Sequence, residues 1–408
     1  MEKGIADSPS SFKSDVIKSG QQCSDEVLVD RLAKESADAV AFLKGLGIDL
    51  SLLSHCGGHK LPRTHRSKLD PTAKFQRNIG SIITLALASK LSQLPNVEIY
   101  LASAVTSLLT EGESVKGIQV NGTLEFYAHA TVLATGGYGR DARLLKEFCP
   151  EYANLPSTNG NWTTGDGVHL ARAISVDVTG MEYVQVHPTG IVDIQQPNLL
   201  NKFLAAEAIR AEGAILVSQN GYRFVNELGL RDQVTNAIFE FGAEIPGSDQ
   251  RIVFMLLNDR VINSFGAQTM SFYQQKGLLT MFKNAEAFSN HFRIPSQSIL
   301  ATLFDYNAAR ESGGIDQFGK ERFPVAYNPA EPIYAFLVTP SIHYTMGGVK
   351  IDAHGRALRS TGVVPGLYAV GEVSGGVHGK NRLAGNSLLE CVVFGRAAGQ
   401  HIISQQLH

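Results

Sequence analysis

Two short apolar runs, far apart in the chain, each end in clustered glycine. Thr131-Val132-Leu133-Ala134-Thr135 runs into Gly136-Gly137-Tyr138-Gly139, and Tyr368-Ala369-Val370 runs into Gly371-Glu372-Val373-Ser374-Gly375-Gly376. Apolar runs of this length read as buried strands, and glycine at their ends lets backbone approach a ligand closely. One such edge is as readily an ordinary turn as a site. Two in one chain point to a large cofactor and to an α/β layout around it.

The finer signals leave more open. Gly137-Tyr138-Gly139-Arg140-Asp141-Ala142 fits the loose GxGxxA pattern, yet the acidic residue expected about twenty positions later, closing a βαβ unit, is not clearly present. Glu372 stands at a strand end, where acidic residues hold ribose hydroxyls, and reads equally as a solvated loop charge. Gly385-Asn386-Ser387-Leu388 opens the last helical stretch. Its free N–H groups and dipole would stabilise a negative ring or phosphate, and the same letters make a plain helix cap.

Bulk properties exclude several classes. At 408 residues and 44% hydrophobic, the chain is long enough for two or three domains with sizeable cores. Thirty-six basic against 38 acidic residues give a formal charge of −2, so no general attraction to nucleic acid is expected and any anion site must be local. The longest apolar stretch, Ile79 to Ala88, contains Ser81 and Thr84 and falls short of the roughly 18 residues a span needs. It reads as a buried helix, with no membrane insertion. Cys23, Cys56, Cys149 and Cys391 are scattered without a CxxC, which suggests neither a disulfide framework nor a metal site. His55-Cys56-Gly57-Gly58-His59 lacks further ligands at metal-binding spacing. A reducing compartment fits, cytoplasm or mitochondrion, because the amino terminus shows no apolar export signal. No CxxCH is present to attach haem, so an electron donor would be another, unidentified molecule.

Along the chain, Ser24, Asp25 and Glu26 predict a capped helix that stops at Gly45 and Gly47. Val97 to Leu109 and Val115 to Tyr127 predict antiparallel strands turning at Gly112, Gly117 and Asn121-Gly122. From about Gly180 to Thr345 the pattern becomes mixed, with helical runs near Phe203 to Arg210, Val234 to Phe241 and Ser296 to Arg310. Strands are expected at Gly348 to Ile351 and Leu367 to Val370, and a helix from Ser387 to Ser404.

Taken together, His343-Tyr344-Thr345-Met346-Gly347-Gly348, Gly371-Glu372 and His378-Gly379-Lys380-Asn381-Arg382-Leu383-Ala384-Gly385-Asn386-Ser387 form a long combined pattern. It resembles the fumarate reductase and succinate dehydrogenase flavoprotein superfamily. Val184-Gln185-Val186-His187-Pro188-Thr189, Ala206-Glu207-Ala208-Ile209-Arg210 and Arg223-Phe224-Val225-Asn226-Glu227 with Arg231-Asp232 extend the likeness to the soluble fumarate reductase branch that includes flavocytochrome c.

That resemblance implies reduction of fumarate to succinate by hydride from a non-covalent FAD. It implies that His187, Glu207, His343, Arg382 and Gly385 contact the substrate carboxylates, that Arg231 donates the proton, and that Glu207 and Arg210 resupply it. It further implies flavin contacts at Val105, Ala134, Thr135, Gly136, Asp166, Tyr344, Glu372, Ser387 and Leu388. The chemistry is consistent: a planar guanidinium can grip one carboxylate with two charge-assisted hydrogen bonds, as expected of Arg382. Ala206 departs from relatives that carry a hydroxyl there, so one substrate hydrogen bond is expected to be absent.

The resemblance also implies a division of the chain. It predicts an incomplete Rossmann-like FAD-binding domain at residues 1–178 and 346–408, with an α+β capping domain inserted at 179–345 and hinges near 178 and 346. Nothing before Asp7 matches the family's opening strand, GxGxxG turn and helix, so weakened FAD binding is an expectation. A truncated, catalytically impaired or non-catalytic binding homologue, and a same-superfamily reductase of another unsaturated acid, remain as alternatives.

Overall fold

The structure is a computed structural model and describes residues 4–68, 78–248 and 250–406. Its central finding is that the two glycine-terminated runs are neighbours. The strand Gly362–Ala369 pairs in parallel with the strand Thr131–Leu133, with Leu367 opposite Thr131 and Ala369 opposite Leu133. Parallel pairing places Gly136 and Gly371 beyond the same, carboxyl end of the sheet, where open α/β sheets bind ligands. The strand Arg356–Arg359 flanks them.

A second small sheet joins Val178–Thr179, Gly348–Lys350 and Ser374–Gly375. A three-stranded meander, Val105–Glu111, Ser114–Val120 and Leu124–Tyr127, turns at Gly112 and at Asn121-Gly122; all three turn residues have positive φ, as hairpin turns of this kind require. The largest sheet, of seven strands, is antiparallel: its core runs Ile215–Val217, Arg251–Leu257, Ile333–Thr345, Val184–Ile191 and Phe203–Leu204.

Buried apolar side chains fall into two large clusters and a small third one of Cys56, Ala211 and Ala384. Of the large ones, the first draws on Phe12 through Val184 and on Ile342 through Phe394, the second on Ile191 through Val338. The helix Glu26–Gly45 begins at Asp25, whose carboxylate accepts from the amides of Val27 and Leu28, and it buries Leu28, Val29 and Leu32 in the first cluster. The helix Asn386–Gln406 packs against it and contributes Val392, Val393 and Phe394.

Four sequence expectations are corrected, the first being Gly117, expected at a turn but lying inside the strand Ser114–Val120. The helix Ile79–Ser92 forms, but Ile83 alone in it is buried, and Leu85 and Leu91 are 48% and 44% exposed. Periodicity cannot reveal that, among the described residues, no second layer covers its outer face. The run Phe203 to Arg210 is not one helix: Phe203–Leu204 pairs with the strand Val184–Ile191, and only Glu207–Ala211 is helical. Sheet pairing overrides local helix propensity there. The first meander strand begins at Val105, not Val97, because Ala102 adopts positive φ and breaks the extended run.

Within the second cluster lies a buried ionic group. Glu227 accepts from Arg223 Nε at 2.8 Å, from Arg223 Nη2 at 2.9 Å and from Lys320 Nζ at 2.7 Å, while Arg223 Nη1 reaches Asp316 at 2.9 Å. Burial of Glu227 is outweighed by these cations, which pull its carboxyl down to about 2. Removing a cation leaves buried charge uncompensated. Lys320→Met is expected to cost about 3 kcal/mol of unfolding free energy, read as a lowered urea midpoint at unchanged m-value; a shift of less than about 0.5 kcal/mol would show the cluster to be neutral.

Candidate active site

The long strand Ile333–Thr345 and its antiparallel neighbour Val184–Ile191 carry the two histidines singled out from sequence. Their registry, Ser341 opposite His187 and Ile342 opposite Val186, sets the His187 and His343 rings 5.0 Å apart at 62°. The Thr189 amide donates to His187 Nδ1 at 3.2 Å, which leaves the ring proton on Nε2. That Nε2 is buried without a partner. The Thr158 hydroxyl lies 2.8 Å from His343 Nδ1.

Burial, with Arg231, His343, Arg210 and Arg382 nearby, holds His187 well below the usual imidazole range; burial, Arg231 and Arg382 do the same for His343. Both rings are therefore neutral near pH 7, and His187 presents a donor at Nε2. The fixed charge comes from arginine.

Arg231 opens the helix Arg231–Phe241 and is buried. Its Nε donates to Glu207 Oε2 at 2.7 Å and its Nη1 to Gln185 Oε1 at 2.6 Å. Glu207, first residue of the helix Glu207–Ala211, also accepts from the Gly57 amide at 2.8 Å, and Arg210 Nη2 stands 4.0 Å from it. Burial would raise the Glu207 carboxyl, but Arg231 and Arg210 outweigh it and hold it below its ordinary value. Arg210 is fully buried; its Nη1 donates to the Glu227 carbonyl at 2.5 Å, while Nε and Nη2 have no partner. Ala206, directly before Glu207, offers no side-chain cap.

Arg382 is a further cation near both histidines. It is buried, donates from Nη1 to the Leu383 carbonyl at 2.9 Å, and leaves Nε unpartnered. Burial, with Arg231 adding to it, lowers the guanidinium to about 10, still charged at neutral pH. Arg231 and Arg210 thus flank Glu207, and Arg382 lies over the Tyr344 ring, around two neutral imidazoles. Buried guanidiniums with orphaned donors on His187 and Arg382 are groups able to hold an anion.

Beside this cluster lie the residues expected to contact a cofactor. Thr345 donates to Glu372 Oε1 from its amide at 2.9 Å and its hydroxyl at 3.1 Å. A Cβ on Gly137 would stand 2.1 Å from the Thr345 hydroxyl and 2.3 Å from Glu372, so only glycine fits that wall. Thr135 accepts from the Gly167 amide, while Ala134 and Thr135 remain exposed and Gly136 sits at φ +76°. In the first turn of the helix Asn386–Gln406, the amides of Asn386 and Leu389 bond to Leu383 and Gly385; those of Ser387 and Leu388 have no acceptor among the described hydrogen bonds. Gly385 is exposed at φ +89°. Open glycine backbone, a carboxylate at a strand end and free helix amides fit a flavin dinucleotide. Val105, half-buried on the meander, and Asp166, exposed and bonded to Thr164 at 2.8 Å, stand apart from the arginine and histidine cluster, with no bond to it.

The sequence reading passed over several residues that the structure brings in. Gln185 links Arg231 to Asn381 (2.9 Å) and to the Arg382 carbonyl (3.0 Å), and Asn381 in turn donates to Ser19 at 2.8 Å. Gln185 precedes His187 by two positions, so it shares that residue's face of the strand; the alternation was the available signal. His378 and Glu390 form a buried pair with no local sequence signature.

Fold and site together define an FAD-dependent oxidoreductase. The FAD-binding domain family matches residues 1–388. The chain is 36% identical over 420 residues to a fumarate reductase of Schizosaccharomyces pombe, covering 100% of this chain and 79% of that protein. It is likewise 36% identical to fumarate reductase 1 of Saccharomyces cerevisiae, over 98% of this chain and 87% of that one. Among solved structures it resembles the open conformation of a flavocytochrome c3 fumarate reductase, at 32% identity and a TM-score of 0.75, covering 100% of this chain and 69% of the other. This chain belongs to the fumarate reductase and succinate dehydrogenase flavoprotein superfamily.

Glu372 gives the cofactor side a pH dependence. Burial pushes its carboxyl up to about 7, against the pull of the Thr345 bonds and with the help of Glu390. A raised value means that the proton stabilises the fold: that contribution is complete below the ordinary 4.5 and lost as pH rises through about 7. An ionised Glu372 is the better acceptor for a ribose hydroxyl. FAD affinity is therefore expected to weaken about tenfold from pH 8 to pH 6, and Glu372→Gln to flatten that profile, as followed by flavin fluorescence quenching.

Proposed function

We propose that this chain reduces fumarate to succinate, and that residues 179–345 form a cap over a site on the divided flavin-binding portion, 1–178 and 346–408. The observation that carries the reading is the convergence of Arg382 and His187, each with an orphaned buried donor, beside Arg231 held by Glu207 and Gln185. The two large, separate apolar clusters support the division.

Bound reduced FAD supplies the hydride. Arg382 grips one carboxylate of the substrate through its guanidinium fork, and His187 and His343 donate to the other as neutral imidazoles. Hydride addition to one alkene carbon leaves a carbanion next to a carboxylate, basic enough to take a proton from Arg231. The Arg231 Nε–Glu207 Oε2 bond of 2.7 Å is the return route for that proton, with Arg210 behind it. Glu207 is ionised at rest, so it passes protons on without storing them. Closure of the cap would exclude water from the carbanion.

The test is to purify the protein, record its visible spectrum, and follow oxidation of reduced viologen with fumarate, urocanate and aspartate offered separately. Flavin absorbance with turnover on fumarate alone supports the reading. Turnover confined to another acid reassigns the substrate, and flavin without turnover on any of them makes this a binding homologue.

A further inference from the structure

The helix Asn386–Gln406 buries a carboxylate that the proposed reaction does not use. Glu390 is 1% exposed. A charge so placed is costly unless it is paired: Glu390 accepts from the Tyr344 hydroxyl through Oε1, while His378 Nε2 lies 2.5 Å from Oε2 without hydrogen-bond geometry. The His378 and Tyr344 rings meet edge to face at 5.8 Å. The carboxylate thus anchors the Tyr344 ring, with His378 packed against both.

Tyr344 passes that order on. The Arg382 guanidinium carbon lies over its ring, 4.4 Å from the centroid. A phenol that donates to a carboxylate carries more electron density on its ring, which strengthens attraction for a cation over its face. Little else within the protein holds the Arg382 fork: one bond to its neighbour's carbonyl, and among the described residues no carboxylate within 4.0 Å. A carboxylate bonded directly to Arg382 would compete with substrate for the same donors. With the Tyr344 ring between them, Glu390 supplies a counter-charge that orients the guanidinium and leaves its donors free.

We propose that Glu390 is a positioning residue for substrate, acting through Tyr344 to hold Arg382 ready for a carboxylate. This rests on the reading of the pocket as a dicarboxylate site. Its effect belongs on binding more than on chemistry, because an arginine already in place spares substrate the ordering cost.

The FAD-loaded wild type, Glu390→Gln, Glu390→Asp, Tyr344→Phe and the double variant Tyr344→Phe/Glu390→Gln would be compared by steady-state kinetics and by calorimetric titration with succinate. Glu390→Gln is expected to raise KM for fumarate and Kd for succinate about tenfold, more than any fall in kcat. Glu390→Asp should recover most of the loss. Tyr344→Phe should match Glu390→Gln, and the double variant should add little, as coupled neighbours do. Should Glu390→Gln fail to fold, Tyr344→Phe keeps the carboxylate and tests the same link. Unchanged succinate affinity in Tyr344→Phe overturns the proposal, as do fully additive effects or a loss confined to kcat. Wild-type protein that binds no succinate overturns the dicarboxylate reading itself, a result visible before any variant is made.

Discussion

An Arg231→Gln variant is expected to bind FAD and succinate and yet reduce fumarate about a thousandfold more slowly, inside the roughly 10²- to 10⁴-fold span that a positioned general acid contributes. Glutamine keeps a polar side chain at the start of the helix Arg231–Phe241, so the fold around it is retained. It has no proton to give. Glu207 would lose its Nε partner at 2.7 Å and keep only the Gly57 amide and the more distant Arg210. Its carboxyl should then rise, because burial would no longer be outweighed by the nearer cation. The measurement is kcat at saturating fumarate beside KM and succinate Kd. A kcat within threefold of wild type would remove Arg231 from the proton's path.

The second large effect falls on binding. Arg382→Met should lower kcat/KM by about 30- to 5,000-fold, equivalent to about 2–5 kcal/mol for truncating one partner of a buried charge-assisted pair. Most of the loss should appear in KM and in succinate Kd. Arg382→Lys should recover little of it, since an ammonium offers neither the two-pronged fork nor a planar face to lay over Tyr344. Full recovery with lysine would mean that Arg382 acts only as a point charge. Unchanged succinate affinity in Arg382→Met would place the carboxylate grip elsewhere.

Much of this site was legible in sequence because its residues sit in runs whose local conformation is simple. The glycine-ended strands 131–135 and 368–370 announced a ligand edge, and their parallel pairing is the geometry such edges need. His187, His343, Glu207, Arg231 and Arg382 were named from motif resemblance, and the chain folds them into one cluster. What stayed hidden depended on tertiary neighbours. Glu390 belongs to no motif, and only the packing of the last helix against Tyr344 makes it a buried partner. Phe203 to Arg210 reads as helix until the strand Val184–Ile191 claims Phe203 and Leu204. Ile79 to Ala88 reads as core because hydrophobicity reports what a segment could bury, not what lies beside it.

The strand Ile333–Thr345 crosses from one large apolar cluster to the other, and its last three residues divide the labour of the pocket. His343 faces His187, Tyr344 backs Arg382, and Thr345 binds Glu372 against the Gly137 wall. Adjacent codons are rarely parted by recombination. An exchange within residues 179–345 that spares this tripeptide would therefore set new surfaces around an unchanged strand end, and a substitution at residue 343 would be made under constraint from its neighbour at residue 345. Diversification should be fastest in the outer strands and helices of residues 179–345, and slowest across this one tripeptide.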